Sequence, residues 1–186
     1  MNTMSNLELA LIGLLKQKPQ SGYDLRKTFA ATAMRHFSDS PGSIYPALRR
    51  LEARGWIEAE AKSAQQHGDG RGRQVFHLTA QGEESLVACL DRPVTRPDVV
   101  WRMPELMLRF AFMDGNVPRS TTLRFLEQFE RALAAYAGEL RAEFAVISSQ
   151  TPVNTGLLAF QSGIEGFEAQ LAWARQVRAR LMEDSQ

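Results

Sequence analysis

Apolar residues recur at helical spacing from the start of the chain. Leu7, Leu11, Leu14 and Leu15, with Ala10 between them, predict a helix over residues 6–18. Ser5 stands at its N-cap and Glu8 completes a capping-box pattern three residues on, while Pro19 bars continuation. Ser21 caps a second helix, with Asp24 favourable to the helix dipole and Leu25, Phe29 and Ala33 facing inward. The pattern breaks near Phe37, in the loop and cap chemistry of Ser38-Asp39-Ser40-Pro41-Gly42-Ser43. A third helix, from about Ser43 to Arg54, buries Ile44, Ala47, Leu48 and Leu51, and Gly55 suits the left-handed position after it. Two caps fit this helix. With Ser43 as cap, Pro46 falls at N3 and costs no hydrogen bond; with Ser40 as cap, one helical bond is lost.

The period then changes. Trp56 to Ala61 alternates like a half-buried strand, and Arg73 to Thr79 is a second short strand. The polar segment between them holds Gly68, Gly70 and Gly72, so the pair predicts a β-hairpin with a long tip. Thr79 caps a fourth helix that runs to about Leu90. Pro93, Pro97 and Pro104 cluster in residues 93–104, which read as a linker between a domain over 1–92 and one over 105–186. The second domain is helical throughout. Leu126, Phe129, Leu133, Tyr136, Leu140, Phe144 and Ile147 form one stripe; Leu157, Phe160, Ile164, Phe167, Leu171, Ala174 and Leu181 form another. Two such helices make a coiled-coil-like hairpin, with apolar surface to spare for a second copy. The fold class is therefore mainly α with a small β-hairpin.

Composition narrows the function. The 186 residues are 44% hydrophobic and 23% charged, a globular balance. The single Cys89 permits no intramolecular disulfide and no cysteine zinc cluster. The apolar stretch Leu9–Leu15 is too short to span a bilayer and residues 1–8 carry no positively charged leader pattern, so the expectation is a cytoplasmic protein without a membrane partner. His36, His67 and His77 show no metal-ligand spacing, and no phosphate loop, dinucleotide fingerprint or nucleophile elbow is present. No metal, cofactor or enzymatic activity is expected. Net charge is only +1, but eleven basic residues face six acidic ones between Lys16 and Arg73, as suits a half that meets phosphate.

Three helices followed by a hairpin is the order of a winged helix-turn-helix, whose third helix offers one face to the DNA major groove. Projection puts Ser43, Tyr45, Pro46, Arg49 and Arg50 on that face. Arginine bonds guanine edges or phosphate, and the hydroxyls of Ser40, Ser43 and Tyr45 suit phosphate at a helix N-terminus. Lys62, Arg71 and Arg73 flank the hairpin tip, which lies on the DNA backbone or enters the minor groove.

The residues of this half resemble the PadR family of bacterial transcriptional regulators. The likeness is carried by Leu11-Ile12-Gly13-Leu14-Leu15, Ser21-Gly22-Tyr23-Asp24-Leu25, Gly42-Ser43-Ile44-Tyr45-Pro46-Ala47-Leu48-Arg49-Arg50-Leu51, Gly55-Trp56-Ile57 and Phe76-His77-Leu78-Thr79-Ala80-Gln81-Gly82. Trp56, where a smaller aliphatic is often found, and His77 depart from the family pattern. The second half resembles the helical C-terminal domain of longer members in pattern only. The resemblance implies a homodimeric, ligand-responsive repressor that places two third helices in successive major grooves of a near-palindromic operator; it adds Tyr23 to the DNA-facing set. An activator, or a protein-interaction module without DNA binding, is the alternative. Leu126, Phe129, Leu133, Leu140, Phe144, Leu157, Ile164, Phe167 and Leu171 are the expected dimer residues. Phe110, Phe167 and Trp173 are candidates for contacting a small aromatic or amphipathic effector.

Overall fold

Helix α1, Asn6–Gln17, starts where its cap chemistry predicts. The Ser5 hydroxyl accepts from the Glu8 N–H at 3.3 Å, and the Ser5 N–H donates back to Glu8 Oε2 at 3.0 Å. The computed structural model describes residues 4–36, 40–60 and 74–183. The chain divides into two compact units, Met1–Leu90 and Asp91–Gln186.

In the first unit, α1 is followed by a two-residue strand β1, Gln20–Ser21, and by helix α2, Gly22–Ala31. Ser21 caps α2 by accepting from the Asp24 N–H at 3.2 Å. Leu25 and Phe29 are buried as expected, whereas Ala33 lies beyond the helix in a 3₁₀ turn, Ala33–His36. Helix α3 spans Pro41–Ala53, β2 Ile57–Ala59, β3 Val75–Leu78 and α4 Ala80–Asp91. The three strands form an antiparallel sheet in the order β1-β3-β2, with Gln20 opposite Phe76 and Glu58 opposite His77. Strand β1 escapes the periodicity because two residues carry no alternation; Pro19 hides it further.

Both helix α1 and helix α2 pack on α3. Leu11, Ile12, Leu25, Phe29, Ile44, Leu48 and Leu51 are each no more than 1% exposed. Removing such side chains from water contributes about 1.5–3 kcal/mol apiece. Two glycines set the geometry around this core. Gly55, at φ +71°, ends α3: its N–H bonds the Glu52 carbonyl and the Trp56 N–H bonds that of Leu51, a Schellman turn that only glycine enters without strain. Gly82 lies against the turn after Gly55, where an added Cβ would come within 2.0 Å of the Trp56 carbonyl oxygen. Thr79 ties the same two segments, donating to the Gly55 carbonyl and accepting from the Gly82 N–H.

The second unit is all helical. Residues 93–104, expected as a linker, fold instead: α5 runs Arg96–Trp101 and α6 Met103–Ala111. Pro97 and Pro104 fall in the first turns of these helices, where their missing N–H groups break no bond. Val94 and Val99 anchor the segment in the core of the unit. Asp98 accepts from the Thr95 N–H at 2.9 Å and hydroxyl at 2.7 Å, while Arg92 bridges Asp98 and Glu105. Helices α7, Arg119–Gln150, and α8, Thr155–Glu183, run antiparallel, since contacts advance along one as they recede along the other: Glu130 with Arg178, Tyr136 with Phe167, Phe144 with Phe160. Among the described residues no helix is long and apolar enough to cross a membrane.

Gly82→Ala should lower unfolding stability by about 1–3 kcal/mol, because backbone cannot yield as a side chain does. Gly138→Ala, with nothing within 4 Å of the added methyl, should raise it by about 0.5–1 kcal/mol. Denaturant melts of the two variants should thus move in opposite directions.

Candidate nucleic-acid interface

Helix α3 buries Ile44, Ala47, Leu48 and Leu51 and turns the opposite face to solvent. Tyr45, Pro46, Arg49 and Arg50 are exposed there, and Ser43 is half-buried. Ser40 is the cap, its hydroxyl accepting from the Gly42 N–H at 3.2 Å. Pro46 therefore lies inside the helix and leaves the Gly42 carbonyl without its usual donor four residues on. Gly42 is itself exposed, so water satisfies that carbonyl.

Three of the expected DNA-facing residues meet at one place. Tyr23, Tyr45 and Arg49 line a cleft of about 220 Å³ between the start of α2, α3 and the residues entering β3, with Gln74 on the far wall. The Tyr45 ring lies on Gly22, where a Cβ would come within 2.7 Å of its Cε1. Arg26 sits over the Tyr23 ring at 5.5 Å. The cleft thus presents two phenols and a guanidinium, groups that bond phosphate and base edges, together with the Glu52 carboxylate, which can accept from a base amino group but repels phosphate. Among the described residues Arg49 makes no ion pair. Lys62, Arg71 and Arg73, with the rest of the hairpin tip, lie outside the described residues.

Arg50 is placed differently from Arg49. Its Nε donates to Glu8 Oε1 at 3.0 Å, and Arg54 Nη1 reaches Glu8 Oε2 at 3.4 Å. Glu8 is 3% exposed. Burial pushes its carboxyl up, but the Ser5 backbone bond, the Arg50 hydrogen bond and the Arg54 charge outweigh that and hold it below its ordinary value of 4.5. In the sequence Glu8 reads only as a helix cap. Its second role has a trace there: Arg50 and Arg54 are four apart and share a face of α3.

The expected dimer residues differ in their burial within the second unit. Leu126, Phe129 and Leu133 are fully buried within their own unit, and Leu157 and Ile164 nearly so. Leu140 and Phe144 are half-buried; the Phe144 ring meets Phe160 edge-on at 5.6 Å. Leu171 packs on the unit's core cluster. Leu126, Phe129 and Leu133 pack inside the unit against α5 and α6, while Leu140, Phe144, Phe167 and Leu171 keep part of their surface exposed. Of the effector candidates, Phe110 and Trp173 meet edge-on at 5.4 Å, whereas Phe167 lies apart, against Tyr136 at 4.9 Å. Among the described residues no group of three or more His, Cys, Asp and Glu is placed to hold a metal ion.

A trihelical head with a three-stranded sheet and an outward-facing third helix is the winged helix-turn-helix fold. Residues 11–88 match the model of the transcriptional regulator PadR-like family, so this N-terminal unit is similar to that family. That model describes transcriptional regulators. The negative transcriptional regulator PadR of Bacillus subtilis is 24% identical over 187 residues, covering 97% of this chain and all of the relative. Two solved structures of the Bacillus subtilis protein are similar. The complex with operator DNA has 22% identity and a TM-score of 0.46, covering 96% of this chain and 99% of that one. The complex with p-coumaric acid has 21% identity and a TM-score of 0.42, covering 95% and 99%.

Because the Glu8 carboxyl is held below its ordinary value, its contribution to stability is full above 4.5 and is lost as pH falls through the depressed value. Urea midpoints of the wild type and Glu8→Gln should differ at neutral pH and converge as the solution is acidified. A gap that persists unchanged into strong acid would contradict this.

Proposed function

We propose that this chain is a homodimeric, ligand-responsive repressor that occupies a near-palindromic operator through α3 of each copy. The observation that carries the DNA contact is the gathering of Tyr23, Tyr45 and Arg49 on one exposed cleft beside the buried face of α3. Base contacts come from the N-terminal half of such a helix, so Tyr45 and Pro46 read the groove, Arg49, one position before Arg50, meets base edge or phosphate, and Ser40 and Ser43 meet phosphate at its start. The wing residues Lys62, Arg71 and Arg73 add phosphate affinity. The sign of regulation follows the name of the Bacillus subtilis relative, a negative regulator.

Dimerisation is supported by what the hairpin leaves uncovered. Val146, Ile147, Val153 and Leu158 are exposed around the turn from α7 to α8, with Val153 at 81%. Exposed apolar side chains clustered near one turn in the chain suit an association site. The two copies meet there in this reading, in place of the buried stripe. An aromatic or amphipathic effector is drawn to the half-buried Phe110–Trp173 pair, whose ring edges and faces favour stacking with another ring. Ligand binding then weakens repression by favouring the state with lower operator affinity. The p-coumaric acid bound by the Bacillus subtilis protein is the first probe to use.

The test is binding to the promoter DNA adjoining the chain's own gene. Arg49→Ala should weaken it about tenfold or more, since a good base or phosphate contact contributes about 1–3 kcal/mol. Unchanged affinity in the folded variant removes Arg49 from the interface. Sedimentation of a Val146→Ser/Leu158→Ser variant should show a shift from dimer toward monomer with helicity retained; a stable dimer would place the contact elsewhere.

A further inference from the structure

The Arg50 guanidinium is bound at one end and open at the other. Its Nε is on Glu8 Oε1, yet the side chain is 52% exposed while Glu8 is 3% exposed. Glu8 is fixed from three directions. Its backbone belongs to the first turn of α1, its Oε2 takes the Ser5 N–H at 3.0 Å, and the same oxygen takes Arg54 at 3.4 Å. Arg54 is held in turn over the Trp56 ring at 5.0 Å. That leaves Oε1 as the oxygen serving Arg50.

We propose that Glu8 is a positioning residue for DNA binding: it holds Arg50 by Nε so that the two terminal nitrogens of the fork meet a phosphate of the operator backbone. A guanidinium has five donors in a rigid plane, so fixing one edge orients the other. A free arginine loses side-chain freedom on binding; one already held does not. The contact is to phosphate because Arg50 lies in the C-terminal half of α3, beyond the turns that reach base edges. Its tether to α1 also limits its reach into the groove. The inference rests on the DNA-binding function of α3.

The sign of one substitution separates this from simple electrostatics. Glu8→Gln removes a negative charge and keeps a side chain able to complete the capping box. By charge alone it should bind DNA more tightly. If Glu8 positions Arg50, affinity should instead fall about three- to tenfold for operator and random-sequence duplex alike. The slope of log K against log salt should flatten by about 0.9 for each phosphate that is no longer neutralised. In an Arg50→Ala background Glu8→Gln should have no further effect. Equal or tighter binding by folded Glu8→Gln, or a fall of the same size in the Arg50→Ala background, overturns the proposal. Arg50→Lys, a change on a half-exposed side chain, gives an independent check. One ammonium cannot serve as a rigid two-edged bridge, so the slope should flatten as in Arg50→Ala; a wild-type slope and affinity would refute positioning. A wild-type chain that binds no duplex at low salt overturns the DNA-binding reading itself, and this inference with it.

Discussion

The head of this protein depends on α3 being apolar along one narrow face and on that face being removed from water. Ile44, Ala47, Leu48 and Leu51 lie in the core beside Leu11, Ile12, Leu25 and Phe29. Every other feature of the unit follows from holding that helix still. The Schellman turn at Gly55 stops it and sends the chain into β2; Gly82 lets α4 approach the same turn at backbone distance. Burial of one face also fixes which side chains are left outside. Tyr45 and Arg49 are exposed because Leu48 and Ala47 are not, and a helix cannot rotate to hide both sets.

A single electrostatic device appears twice. In α1 a first-turn carboxylate, Glu8, closes a cap with Ser5 and takes two arginines. In α5 a first-turn carboxylate, Asp98, closes a cap with Thr95 and takes Arg92 and Arg102. In both, burial raises the carboxyl and the surrounding donors more than reverse it. Each carboxylate gains from the dipole of its own helix while tying that helix to arginines from elsewhere in the fold or the next turn. At α5 this helps a proline-rich segment fold. At α1 it fastens α3 to its neighbour, so the cost of breaking the cap and of loosening α3 fall on one residue.

The long hairpin shows that an apolar pattern does not by itself name the partner that covers it. The apolar stripes of α7 and α8 are present as the spacing predicts, but a stripe says only that a face is covered. The covering surface for Leu126, Phe129 and Leu133 is the chain itself. Of the residues left exposed, Ile147 ends the predicted stripe, while Val146, Val153 and Leu158 fall outside it, around a turn where helical periodicity ends. The prolines of 93–104 mislead in the same way. Proline bars a helix interior and is at home in a first turn, and composition alone does not say which position it holds.

The local rules are legible in the chain. Ser5 with Glu8, Ser21 with Asp24, Thr79 before Gly82 and Gly55 after α3 each act through atoms within a few residues, so sequence spacing determined them. The inward face of α3 was equally determined, because periodicity and apolar character coincide over three turns. The choice between Ser40 and Ser43 as cap fell to Ser40, whose hydroxyl accepts from the Gly42 N–H. What else sequence left open was decided by contacts distant in the chain. The pairing of β1 with β3 joins residues more than fifty positions apart, as Gln20 opposite Phe76. The difference between Arg49 and Arg50, neighbours with the same side chain, exists only because Glu8 is brought against one of them from forty-two residues away. A charge on a helix has no assigned partner until packing supplies one; that is why the helix face could be read from the sequence and the roles of its two arginines could not.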